Sequence, residues 1–141
     1  VVSTALDSNI LSALWSQESI ALKVSIALTE AKRDGDLLIS PIVYAELMAH
    51  PRAMGSHMRD FLSNADIRAD FHVEDAVWTD CGRRYARYAA RRRRSGGSEP
   101  KRFLADFFIG SHALLQADRL MTTDVGRYRT DFPELTLYLP L

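Results

Sequence analysis

The chain has 141 residues, 47% apolar and 26% charged, and its 18 basic and 18 acidic residues give a formal net charge of zero. That length suits one domain covering residues 1–141, with enough apolar content for a buried core and too much for a disordered chain. No apolar run approaches a membrane span, a single cysteine (Cys81) excludes an internal disulfide or a cysteine metal site, and Val1 to Leu6 lack the basic region of a signal peptide. A soluble, cytoplasmic protein is therefore expected.

The neutral total hides a local imbalance, because residues 83–102 hold nine basic residues and one acid, Glu99. Such a block points to one binding face rather than to a wholly basic coat.

Val1 to Leu6 is short, apolar and partly β-branched, and reads as a first strand. Asp7-Ser8-Asn9 offers cap residues before Ile10, Leu11, Leu14 and Trp15, which have helical spacing, with an interruption at Gln17-Glu18-Ser19. A second helix is predicted over Ile20 to Asp34, ended by Gly35. Leu37 to Ile39 is a strand, and Ser40-Pro41 then supplies a cap and a first-turn proline for a helix over Ile42 to Ala49. Met54 to Ser63 reads as helix, and Ile67 to His72 as a short strand. Val73 to Arg93 reads as a long helix with an apolar stripe of Trp78, Cys81, Tyr85 and Tyr88. Ser95 to Pro100 is a loop, Phe103 to Gln116 an apolar and hence buried helix, and Arg119 to Thr123 and Leu135 to Leu139 are strands. Strands alternating with helices predict a three-layer α/β/α sandwich around a mostly parallel sheet.

Sites in open parallel sheets form beyond the carboxyl ends of the strands. Asp7 lies where the first strand ends and Asp124 where the Met121-Thr122-Thr123 strand ends. Glu46 is about 9 Å along the helix that leaves the second strand, at 1.5 Å per residue. Asp106 is in the first turn of a helix that feeds a strand, and such a helix begins at the carboxyl edge. All four carboxylates are thus expected at one edge, where their mutual repulsion calls for a hard divalent cation. With oxygen donors and neither histidine nor cysteine in the set, Mg²⁺ or Mn²⁺ suits it better than zinc. Such an ion activates water and clamps phosphate, the chemistry of phosphodiester hydrolysis. Each acid also has a plainer role open to it: Asp7 as a helix cap, Glu46 as a solvated helix residue, Asp106 as a partner of a helix dipole and Asp124 as a turn residue.

Ser8 and Thr122 are placed to hydrogen-bond the acids or a metal-held water, or simply to cap and to fill a strand. Arg84, Arg87, Arg91 and Arg94 share one helical face and form a candidate RNA-phosphate patch, the alternative being a solvated helix end. His112 reads as a core histidine, and His50, His57 and His72 have no metal spacing.

Around its acids the sequence resembles the PIN-domain family, and within it the VapC-type toxins of toxin–antitoxin systems. The stretches that carry the resemblance are Leu6 to Leu11, Pro41 to Leu47, Ala105 to Ala113, Met121 to Asp124 and the tail from Tyr128 to Pro140. The resemblance implies a Mg²⁺- or Mn²⁺-dependent endoribonuclease with Asp7, Glu46, Asp106 and Asp124 as catalytic metal ligands. It also implies a small antitoxin partner and frequent homodimers. Two features depart from it: Thr123 stands where a basic or polar residue is common, and Phe107 and Phe108 are bulkier than usual.

Three other readings compete. A non-toxin PIN nuclease in RNA processing and a non-catalytic RNA- or partner-binding module share the fold. A phosphotransferase with Asp7 as covalent nucleophile would have a second Asp where Asn9 stands. A dinucleotide site is excluded because no glycine-rich loop follows the first strand.

Overall fold

The computed structural model describes residues 1–15, 19–51, 55–97 and 102–140. The elements run β1 (Thr4–Leu6), α1 (Ser8–Trp15), α2 (Ala21–Asp34), β2 (Leu37–Ile39), α3 (Pro41–Met48) and α4 (Gly55–Asn64). They continue with β3 (Ile67–Ala69), α5 (Asp75–Arg94), α6 (Leu104–Gln116), β4 (Arg119–Met121), α7 (Val125–Arg129) and β5 (Leu137–Tyr138). The five strands form one sheet in the order β3-β2-β1-β4-β5, every pair parallel, and helices enclose it as an α/β/α sandwich.

The central strands explain themselves by burial. Thr4–Leu6 and Leu37–Ile39 are buried at every position, as a sheet covered on both faces requires. The edge strands β3 and β5 are only partly covered. The order places the switch in chain direction between β1 and β4: β1 leads outward to β2 on one side and pairs with β4 on the other. That crevice is where a parallel sheet leaves room for a ligand.

Local chemistry sets the helix starts and stops near the site. The Ser40 hydroxyl accepts from the Val43 backbone N–H at 3.2 Å, and Pro41 opens α3 as expected. Gly35 ends α2 for a reason other than a left-handed turn. Its backbone is extended, and a β-carbon there would collide with the carbonyl of Val2. Gly110, inside α6, lies so close to the Phe132 ring that a β-carbon would overlap it. This contact locks the C-terminal segment onto the helix that carries Asp106.

Several element boundaries differ from expectation. β1 begins at Thr4 rather than Val1, and β3 ends at Ala69 rather than His72, followed by Asp70, whose carboxylate lies 2.9 Å from His112. α5 buries Val77, Cys81, Arg84 and Tyr88, while Trp78, predicted to lie on the apolar stripe, is 54% exposed and packs against Phe108 from outside the buried face. α7 was not expected at all. The interruption at Gln17-Glu18, the helix start at Met54 and the end of the glycine loop at Ser98 to Pro100 lie outside the described residues.

Candidate active site at the sheet switch point

Asp7 follows β1 directly and is fully buried. One carboxylate oxygen, Oδ1, accepts from the Ser8 backbone N–H at 2.8 Å. The other, Oδ2, accepts from the Tyr128 hydroxyl at 2.8 Å, the Thr122 hydroxyl at 2.9 Å and the Asn9 amide at 3.3 Å. Burial pushes the pKa of Asp7 up; the Tyr128 and Thr122 hydrogen bonds, the Arg127 charge and the Ser8 N–H hold it back.

Thr122 links the two strand-end acids, since its hydroxyl donates to Asp7 and accepts from the Asp124 backbone N–H at 3.0 Å. Asn9 braces the same junction, its amide oxygen accepting from the Thr123 N–H at 3.2 Å. Asp124 caps α7 by accepting from the Arg127 N–H at 3.2 Å, so its cap role and its place at the site coexist.

Glu46, on α3, is exposed, yet its pKa is raised, by partial burial first and then by the charges of Asp7 and Asp106. The Ser8 hydroxyl hydrogen-bonds it and works the other way. Asp106, in the first turn of α6, keeps only 15% of its side chain exposed and meets the Arg127 Nη1 at 3.3 Å. The structure therefore brings all four acids into one electrostatic neighbourhood, with Ser8 and Thr122 bonded to two of them.

Sequence reasoning missed three residues here: Asn9, Arg127 and Tyr128. Arg127 is the most consequential. Its Nε lies 3.4 Å from Asp124 while its Nη1 reaches Asp106. Burial works to lower the Arg127 pKa, and the acidic groups around it, Asp106 foremost, outweigh this and raise it. An Asp–x–x–Arg spacing on a helix was the available signal.

The donor set suits a hard divalent cation: carboxylates alone, two of them carrying raised pKa values, and an Asp7 Oδ1 with a single protein donor. The spacing does not yet match a coordination sphere. Among the described residues, no three His, Cys, Asp or Glu side chains stand close enough to share one ion.

The predicted phosphate patch divides. Arg84 is 6% exposed and commits its guanidinium to Asp80 at 2.8 Å, Glu134 at 2.6 and 2.9 Å and the Asp131 carbonyl at 2.7 Å, stacked on Phe132. Arg91 pairs with Asp131 at 2.7 Å, as does Arg102 at 2.8 Å. Arg84 thus has no open face for a phosphate, whereas Arg87 and Arg94 are exposed. Burial and Asp80 push the Cys81 thiol up to about 11, so it is a neutral core group. His112 is buried against Asp70, with burial lowering its pKa, and takes no part in the acid cluster.

An all-parallel α/β/α domain with carboxylates gathered at its switch point is the architecture of a PIN domain. The PIN domain family model matches residues 4–133, and the chain belongs to that family. Among solved structures, the fold resembles VapBC2 from Rickettsia felis bound to a DNA fragment from their promoter, with a TM-score of 0.66 at 20% identity over 97% of this chain and 98% of that one. It also resembles VapBC-1 from nontypeable Haemophilus influenzae (0.66, 20%, 96% of each chain) and FitAcB from Neisseria gonorrhoeae (0.65, 18%, 97% of each chain). At these identities the likeness is one of fold. Comparison with curated proteins gives no match. No helix among the described residues is long and apolar enough to cross a membrane.

Proposed function

We propose that this chain is a divalent-metal-dependent endoribonuclease, acting in the cytoplasm as the toxin of a VapBC-type pair. One observation carries the reading: within a PIN domain, Asp7 and Asp124 flank the switch point, tied through Thr122, with Asp106 and Glu46 beside them. Asp7, Glu46, Asp106 and Asp124 would hold Mg²⁺ or Mn²⁺. Bound there, the ion would supply Lewis acidity toward a phosphate oxygen and lower the pKa of a water.

The remaining chemistry belongs to the chain. Tyr128, Thr122 and Asn9 fix Asp7 by saturating one of its oxygens, which leaves Oδ1 with the Ser8 N–H and capacity for a cation. Glu46, half in solvent and with a raised pKa, is suited to take a proton from an attacking water. Arg87 and Arg94 lie exposed on the helix joined to the Asp106 end through Arg91, Asp131 and Arg102, and would lead the RNA backbone toward the acids. A small antitoxin and a second copy of the chain are the proposed protein partners. Exposed Leu22 and Ile26 on α2, and Phe103 and Leu104 at the start of α6, are apolar surface that such partners would cover.

The test is cleavage of RNA by the wild type and by Asp7→Asn, each with Mg²⁺ and with EDTA. The wild type should cut only with the metal, and the variant should fold and not cut. Cleavage by a folded Asp7→Asn protein would refute the assignment. The arginine among the acids favours one alternative, a non-catalytic RNA- or partner-binding module, which the same assay identifies by RNA binding without metal or cleavage.

A further inference from the structure

We propose that Arg127 is a built-in cation that holds the acid cluster until a divalent ion displaces it, so that metal binding competes with the chain's own guanidinium. The inference rests on the metal-dependent reading above and adds to it a residue that works against the metal. Its guanidinium bridges two of the four acids, Asp106 at 3.3 Å and Asp124 at 3.4 Å, and its charge also acts on Asp7 and Glu46. Those nitrogen-to-oxygen contacts set each carboxylate more than 3 Å from the charge that compensates it. A magnesium ion draws its oxygens to about 2.1 Å from one point. Among the described residues, no three of the acids stand close enough to share an ion. The arginine and the metal therefore call for two different spacings of the same side chains.

The exchange is mechanically simple. The Arg127 side chain is 36% exposed and opens to solvent. Its backbone is secured independently of the carboxylates, by its N–H on the Asp124 carbonyl at 3.2 Å and by the fully buried Tyr128 next to it. The guanidinium can swing outward without unfolding α7, and its departure frees Asp106 and Asp124 together.

The measurement is Mn²⁺ binding to the full chain by calorimetry, without RNA, for the wild type and Arg127→Gln. If the arginine-out arrangement is populated on the order of 10%, removing the competitor tightens Mn²⁺ binding about tenfold. The metal-free variant should also melt lower than the wild type and gain more from Mn²⁺. Equal or weaker binding by Arg127→Gln, with the wild type binding Mn²⁺, overturns this inference alone; no binding by either protein overturns the metal reading and this inference with it. A second readout needs no variant. The Nε–H resonance of Arg127 in the wild type should leave its carboxylate-bound position as Mg²⁺ is added, and its persistence at saturating Mg²⁺ would refute displacement.

Discussion

Replacing Arg84 by methionine separates a structural arginine from a phosphate-binding one. The substitution keeps the apolar stem and removes the guanidinium. It deletes a part-buried hydrogen bond to Asp80, a buried one to the Asp131 carbonyl and the stacking on Phe132, 4.6 Å from its centroid. A hydrogen bond to a charged partner contributes about 1.5 kcal/mol, the lost carbonyl donor about 1 and the cation–π contact about 0.5–1. Glu134 is 56% exposed, so its pair with Arg84 is screened and adds only about 0.5 kcal/mol. The methionine side chain recovers about 1 kcal/mol by burial, and the net loss is about 3 kcal/mol. For a chain of this size that lowers Tm by about 10 °C. The loss also depends on pH. Arg84 holds the Glu134 carboxyl down at about 2, from an ordinary 4.5. A depressed acid stabilises the fold above its unfolded pKa and loses that contribution as pH falls through its folded one. The gap between wild type and Arg84→Met should therefore be full at pH 7 and narrow between pH 4.5 and about 2. Urea unfolding at pH 7 and pH 3 measures both values. An unchanged Tm together with a large drop in RNA affinity would refute the reasoning and return Arg84 to the phosphate patch.

The exposed arginines and the threonine link give complementary expectations. In the Arg87→Gln/Arg94→Gln double variant, urea unfolding should stay at wild type. If each arginine meets a phosphate, the dependence of log affinity on log salt for single-stranded RNA should flatten by about 0.7 per contact; an unchanged slope removes both from the interface. Thr122→Val keeps the shape of the side chain but takes a donor from Asp7 and an acceptor from the Asp124 N–H. Calorimetry should show Mn²⁺ binding weakened about 10–100-fold, with Thr122→Ser restoring it; full affinity in the valine variant would make the link incidental.

The parts of the molecule legible in the sequence are those governed by local rules. Apolar runs announced β1, β2 and β4, and Ser40-Pro41 announced α3. The alternation of strands and helices was enough to send Asp7, Glu46, Asp106 and Asp124 to one edge. What stayed hidden depends on partners far along the chain. Tyr128 reaches Asp7 across 121 positions, from a helix of five residues that is too short to show a hydrophobic period. Arg84 reads in the sequence as a member of a phosphate-binding face, because the groups that bury it, Asp131 and Glu134, arrive from the C-terminal segment. The stripe read as Trp78, Cys81, Tyr85 and Tyr88 is buried at Cys81 and Tyr88, while Val77 and Arg84 take the two buried slots read as Trp78 and Tyr85, because the partners that let an arginine be buried come from elsewhere in the chain.

The four acids do not depend on a cation equally. Asp7 immediately precedes α1, Asp106 lies in the first turn of α6 and Asp124 caps α7, so three of them stand at helix N-termini, where backbone N–H groups and the helix dipole favour negative charge. The fold supplies part of their compensation without any ion. Glu46 lies beyond the first turn of α3 and has no such support. It feels the like charges of Asp7 and Asp106, which Ser8 and Arg127 oppose. Asp7 has the opposite problem, with ample hydrogen bonding but no solvent. A positive charge entering the crevice acts on both at once, offsetting the lost hydration of Asp7 and the repulsion at Glu46. Arg127 performs this in part from the Asp106–Asp124 side, and a divalent ion held by Asp7 Oδ1, which has one protein donor, would do so more completely.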